Sequence, residues 1–169
     1  MTNEVNQHSQ HGKIVGLVWS IANIIRGPYR PPQYRRVMLP LIVLGRFDAI
    51  LAPYADEMKA CYEKAVANLQ DKNPNVFLQK QLSQIADKNR KQNLYNISGF
   101  NLQKLLDDPD QFTANLTKYI DGFSPKAKDI FAKFEFAKEI EKLDDANRLY
   151  KVFQEFRNGL VESGLSLSP

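Results

Sequence analysis

Between Val37 and Gly45 no side chain carries a charge or a hydrogen-bonding group. On a helical wheel these apolar residues point in all directions, the pattern of a helix surrounded by other elements. The run is far shorter than the about 20 apolar residues that a bilayer requires. Residues 31–51 therefore read as the central core helix of a soluble domain, with no membrane span. Pro31 and Pro32 precede the helix, where a missing N–H and a fixed φ cost little. Pro40 lies inside it and is expected to kink or split it by removing one ladder bond. Arginines stand at both ends, Arg35 and Arg36 before the apolar run and Arg46 after it.

Helical periodicity organises the rest of the chain. In residues 14–26, Ile14, Leu17, Val18, Ile21, Ile24 and Ile25 share one face, and Gly27-Pro28 supplies the stop. Trp19 falls at the edge of that stripe, either as a boundary core residue or as an interface anchor. Residues 54–70 place Met58, Cys61, Tyr62, Ala65, Val66 and Leu69 at helical spacing, and residues 71–74 form a turn. A shorter helix over 76–86 turns Phe77, Leu78, Leu82 and Ile85 inward. Residues 87–99 are the least regular part, with an extended piece expected at 94–97.

The last third is again helical. Residues 102–106 give about one turn. Asp108-Pro109-Asp110-Gln111 has the form of a capping box with proline at the first helical position. It opens a helix that Gly122 stops, and Ser124-Pro125 opens the next. Ile130, Phe131, Phe134 and Phe136 supply aromatic and aliphatic core. Asp144 or Asp145 is expected to cap a final helix in which Leu149, Phe153, Phe156 and Leu160 form a stripe. Strand signals are missing. The fold class is all-α, a single domain of about seven or eight helices around the central apolar one. Residues 1–13 read as a disordered polar tail, 14–162 as the helical domain and 163–169 as a linker stub.

Composition excludes several chemistries. The chain has 169 residues, one cysteine and two histidines, His8 and His11, both in the polar tail. A disulfide framework is ruled out, which fits a reducing cytoplasm. The histidines lack a cysteine pair and make a poor metal site, and a Ser-His-Asp arrangement has no histidine in the folded body. None of the eight glycines forms G-x-G, so no nucleotide-cradling loop of that type is present. The carboxylate pairs Asp107-Asp108 and Asp144-Asp145 sit at expected helix starts, where capping is the simpler role. No catalytic, cofactor or metal residues are assigned.

The positive signal is basic. Net charge is +4 with a pI near 9.1, and from Lys13 to Arg46 there are six basic residues and no acidic one. Arg30, Arg35 and Arg36 stand among Tyr29 and Tyr34, a mix suited to gripping phosphates and stacking. With Arg26 they are candidate DNA-binding residues, as are Lys88, Arg90 and Lys91 in the irregular stretch. The plainer reading is a solvated rim, with Arg46 paired to Asp48 or to a more distant carboxylate. Trp19 and Tyr29 are the candidate interface residues.

At these residues the chain resembles a known family. Residues 19–27 (Trp-Ser-Ile-Ala-Asn-Ile-Ile-Arg-Gly) and 34–48 (Tyr-Arg-Arg-Val-Met-Leu-Pro-Leu-Ile-Val-Leu-Gly-Arg-Phe-Asp) are similar to the N-terminal helical domain of the modification (methyltransferase) subunit of type I restriction–modification systems. Residues 94–98, 105–109, 119–124 and 130–136 follow the same domain in the same order, so the resemblance runs from Ile14 to Leu160. Each motif alone is weak; order and spacing make them specific. Ile25 and Phe47 replace leucines of the pattern, and Gly45 replaces a common basic residue.

The resemblance implies a non-catalytic domain that precedes a methyltransferase domain absent from this chain. That domain would use S-adenosylmethionine to methylate the N6 of adenine after the base leaves the stack. The implied partners are double-stranded DNA, a specificity subunit, a second modification subunit and the methyltransferase domain of the same protein, all in the cytoplasm. Two roles follow for the domain itself. Either it helps enclose DNA through backbone contacts, or it is a structural docking domain that never touches DNA.

Overall fold

The computed structural model describes residues 2–68, 75–86 and 93–162. Its helices are α1 (Thr2–Ile25), α2 (Arg35–Leu51), α3 (Ala55–Asn68), α4 (Asn75–Ala86), α5 (Leu102–Leu106), α6 (Phe112–Asp121), α7 (Pro125–Lys133), α8 (Phe136–Asp145) and α9 (Leu149–Glu162). Single 3-10 turns lie before α2, α3 and α6. No strand occurs among the described residues, so the all-α reading holds. The 71–74 turn, the basic residues Lys88, Arg90 and Lys91, and the 163–169 stub lie outside the described residues.

The apolar run became one unbroken helix. Pro40 is buried inside α2 and costs it a ladder bond without splitting it. Val37, Leu41, Leu44 and Leu51 face the core and are fully buried or nearly so. The expectation that neighbours enclose this helix on all sides does not hold. Leu39 is 47% exposed and Ile42 is 52% exposed. An all-round apolar sequence records how much surface could be buried, not how many helices arrive to bury it.

Other differences have local causes. α1 begins at Thr2, not at Ile14. Once its inner end is docked, each added residue gains one backbone bond, so the helix extends into a polar segment, whose residues 8–13 stay exposed. Residues 125–145 form two helices because Glu135 takes a left-handed conformation (φ 51°) between them. Asp144 and Asp145 end α8 and do not cap α9. Asp144 instead accepts from Thr113 Oγ1 at 3.1 Å. Asp108 does cap, accepting from Gln111 N at 3.4 Å. The expected extended piece at 94–97 is present and lies antiparallel to the turn after α6. Ile97 N donates to Gly122 O at 2.9 Å, and Ser124 N donates to Tyr95 O at 3.0 Å.

Packing closes the chain on itself. α1 lies on α9, where Gly159 stands against Leu17 with no room for a Cβ. α2 packs on α8. Phe47 of α2 meets the rings of Phe123 and Phe131, and Phe112 meets Tyr150 and Phe153. Gly45 is a second close approach: a Cβ there would lie 2.8 Å from the Phe156 ring. A basic residue, common at this place in the family pattern, does not fit here.

One carboxylate lies in this interior. Asp48 Oδ1 accepts from Leu102 N and from Tyr119 Oη, each at 2.9 Å. Burial pushes its pKa up, opposed by these hydrogen bonds and by the charge of Arg157. An acid whose pKa rises on folding supports the fold in its protonated form. That contribution is complete below the ordinary carboxylate pKa and is lost as pH climbs through the raised value. Asp48→Asn keeps an oxygen acceptor and removes the ionisation. Its unfolding free energy, measured with urea across the acid range, should therefore fall less with rising pH than that of the parent chain. Asp48→Ala strands two buried donors and should lose about 1–3 kcal/mol at any pH in that range. Parallel pH curves for parent and Asp48→Asn would contradict this account.

Candidate nucleic-acid interface

The arginine cluster is built by a sharp turn. Gly27 adopts φ +111°, a region open to glycine and strained for other residues. This ends α1 and reverses the chain. Arg148, from the turn between α8 and α9, completes the end: its Nη1 donates to Ile24 O and Arg26 O, each at 2.6 Å. A cation on the last carbonyls of a helix satisfies groups that the helix itself leaves open and complements the helix dipole. Arg30 follows in extended conformation, as a residue before proline prefers. Its N–H is held by Gln33 Oε1 at 3.0 Å. Pro31–Gln33 then turns into α2, whose first turn carries Arg35 and Arg36 and no acid.

Arg26, Arg30, Arg35 and Arg36 are all exposed at this one end of the domain. The ion pairs Lys104–Asp56 and Lys138–Glu135 do not involve them. Cations at a helix start add to the positive end of the dipole where an acid would offset it. The turn is thus a concentrated positive surface made of guanidinium groups, which match phosphate oxygens in a fixed fork. Glu135 feels this charge: its pKa is lowered first by Lys138 and also by Arg36.

Two sequence expectations change here. Tyr29 is not at a surface: it is 2% exposed. Its hydroxyl donates to Glu139 Oε2 at 2.5 Å, and Lys142 Nζ lies 4.2 Å from the ring centroid. The Gly27 turn points the ring inward, where the phenol finds a carboxylate to bond. Burial, then the Glu139 contact, raise the Tyr29 pKa. Tyr29 therefore anchors the arginine loop to α8 and offers no surface to a partner. Arg46 is not paired to Asp48. It is exposed on α2, while Asp48 is held by Leu102, Tyr119 and the field of Arg157. Arg157 and Arg148 are structural supports that the sequence did not point to. Arg157 stands four residues after Phe153 on the apolar stripe of α9, a position where a cation signals an internal carboxylate.

Beside the arginines runs an apolar seam. An open groove of about 200 Å³ between α1, α2 and α9 is lined only by apolar side chains, among them Leu17, Val18, Met38, Ile42, Phe156 and Leu160. Trp19, with 59% of its surface exposed, and Val15 extend the apolar surface along α1. Along α2, Arg35, Leu39, Ile42 and Arg46 repeat at i, i+4, i+7 and i+11, so they form one outward stripe with arginine at each end. Contiguous exposed apolar surface of this kind is more common at binding faces than elsewhere on a protein surface. Among the described residues no cluster of three or more His, Cys, Asp or Glu could hold a metal ion.

Residues 14–156 match the profile of a family described as the HsdM N-terminal domain. No curated protein sequence and no solved structure matches the chain.

The Arg148 contacts decide whether the loop is presented correctly. Replacing Arg148 by Gln removes two charge-assisted bonds to the end of α1 and should cost about 1.5–3 kcal/mol. The urea midpoint checks this, and a midpoint equal to that of the parent chain would show that the contacts carry no stability.

Proposed function

Because the chain belongs to the HsdM N-terminal domain family, and so is the N-terminal domain of a type I modification subunit, we propose that it helps enclose DNA and join subunits without performing catalysis. In this reading the turn from Arg26 to Arg36 lies against the phosphate backbone and carries no sequence readout. The specificity subunit reads the site. A methyltransferase domain of the same protein, using S-adenosylmethionine, modifies adenine N6, and the complex works in the cytoplasm. The observation that carries the reading is the exposed cluster Arg26, Arg30, Arg35 and Arg36, set at a helix start with no acid in its first turn.

A second reading has its own support. The apolar seam between α1 and α2, with Trp19 at its edge, is suited to another protein surface. If the domain works by docking alone, that seam is its main contact, with the specificity subunit, the second modification subunit or the methyltransferase domain as occupant.

Salt dependence separates the two. Fluorescence anisotropy of the chain with a labelled non-specific duplex should show affinity that falls steeply with salt, because each phosphate contact releases counterions. Neutralising Arg30, Arg35 and Arg36 together should lower the slope of log K against log salt by about 0.9 for each arginine in contact. An unchanged affinity and slope would leave docking as the function.

A further inference from the structure

A second cleft opens three turns along α2 from the arginine loop. Eleven residues separate Arg35 from Arg46, about 16 Å along the helix axis. The cleft has a volume of about 310 Å³ and is bounded by Arg46 and Phe47 of α2 and by Ser124, Lys126, Ala127 and Ile130 at the start of α7.

Ser124 is the informative residue. It is 2% exposed, and its hydroxyl has no hydrogen-bond partner. Its backbone is committed: the N–H goes to Tyr95 O, and the carbonyl accepts from Lys128 N at 3.0 Å. It stands at the N-cap of the nine-residue helix α7 with no side-chain cap bond. A serine in that place ordinarily accepts from an N–H two or three residues on. Pro125 has no N–H, so the first free N–H groups of the helix are those of Lys126 and Ala127. Two cationic side chains, Arg46 and Lys126, line the same cleft, and both are exposed. Neither belongs to the ion pairs Lys104–Asp56 or Lys138–Glu135.

The cleft therefore gathers donors and offers no carboxylate. The Ser124 hydroxyl, the N–H groups of Lys126 and Ala127 and the cationic side chains of Arg46 and Lys126 belong to residues that border this one cleft, and none of these groups bonds a protein acceptor among the described residues. A tetrahedral oxyanion supplies three or more acceptor oxygens and a charge to match. Phe47 and Ile130 form an apolar wall beside it, suited to the carbon part of a phosphate ester.

We propose that this cleft is a phosphate-binding site, in which Arg46, Lys126, the Ser124 hydroxyl and the N–H groups of Lys126 and Ala127 hold one phosphate group. The group is either a phosphodiester of a nucleic-acid backbone or a free phosphate or its monoester. The phosphodiester case rests on the DNA-facing reading above and would extend the contact surface along α2. The free-phosphate case does not depend on it.

The test uses the full chain, Arg46→Gln/Lys126→Gln and Ser124→Ala, with inorganic phosphate and a non-specific duplex as probes. Melting in potassium phosphate is compared with melting in potassium chloride of equal ionic strength. The proposal expects phosphate to raise the parent melting temperature above its chloride value. It expects the double variant to lose that rise while melting like the parent in chloride. Ser124→Ala should melt no lower than the parent in chloride and should show a weaker phosphate effect. A lower chloride melting temperature with the phosphate effect intact would mean that the hydroxyl caps its own helix, and would overturn its assigned role. An equal phosphate effect in the double variant, or none in the parent together with an unchanged duplex salt slope, would overturn the site.

The duplex arm identifies the source. A salt slope lowered by about two in the double variant assigns the site to nucleic-acid phosphate. An unchanged slope with the inorganic phosphate effect abolished assigns it to free phosphate. Loss of duplex binding on neutralising Arg30, Arg35 and Arg36, with none on changing Arg46 and Lys126, keeps the DNA reading and limits this site to free phosphate. A phosphate effect without any duplex binding keeps the site and sinks the DNA reading.

Discussion

Asp48 sits where the central helix meets the last third of the chain, and its carboxylate is the polar contact that joins them. One oxygen takes both the first N–H of α5 and the hydroxyl of Tyr119 in α6. A buried charge is costly unless its hydrogen bonds are satisfied. The three elements are therefore bound to one geometry, since any shift of α5 or α6 leaves an acceptor or a donor unmet. The Tyr119 ring in turn lies tilted against Phe123, Phe123 meets Phe131, and both phenylalanines receive Phe47, the residue just before Asp48. Polar and aromatic contacts thus specify the same register of α2, and with it the direction in which Arg35, Leu39, Ile42 and Arg46 face.

That register divides α2 into an inner and an outer side. The inner side holds Val37, Leu41 and Leu44. The outer side presents arginine at both ends and apolar side chains between them. The loop before it is held from two directions: Arg148 bonds the end of α1, and Tyr29 reaches Glu139 of α8. The positive end of the domain is thus supported by groups of the opposite half of the chain, so an intact C-terminal half is a condition for presenting the arginines.

Much of this was legible in the sequence. The 3.6-residue period located the helices, the Gly27-Pro28 stop ended α1, and Asp108 announced its cap. The Leu149, Phe153, Phe156 and Leu160 stripe packs inward as its spacing required. The acid-free span from Lys13 to Arg46 marks the basic surface by composition alone. What stayed hidden depends on contacts between residues distant in sequence. Tyr29 looks like a surface aromatic until Glu139 is known to lie beside it, 110 positions away. Nothing near Arg148 in the chain shows that it caps α1. Leu39 and Ile42 carry the same apolar signal as Leu41 and Leu44, and only the arrangement of α1 and α9 leaves them in the open. Ser124 reads as an ordinary helix cap, and its unpartnered hydroxyl appears only when the residues around it are placed.

If the Arg26–Arg36 turn is the surface that meets the DNA backbone, bound DNA must protect it. Hydrogen–deuterium exchange of the chain, with and without a non-specific duplex at low salt, reads this protection peptide by peptide. Slower exchange is expected in peptides covering residues 26–38, weakened by added salt, with the buried α8 and α9 segments unchanged. Equal exchange across residues 26–38 while the duplex is bound would place DNA elsewhere on the domain and rule out this turn as its contact.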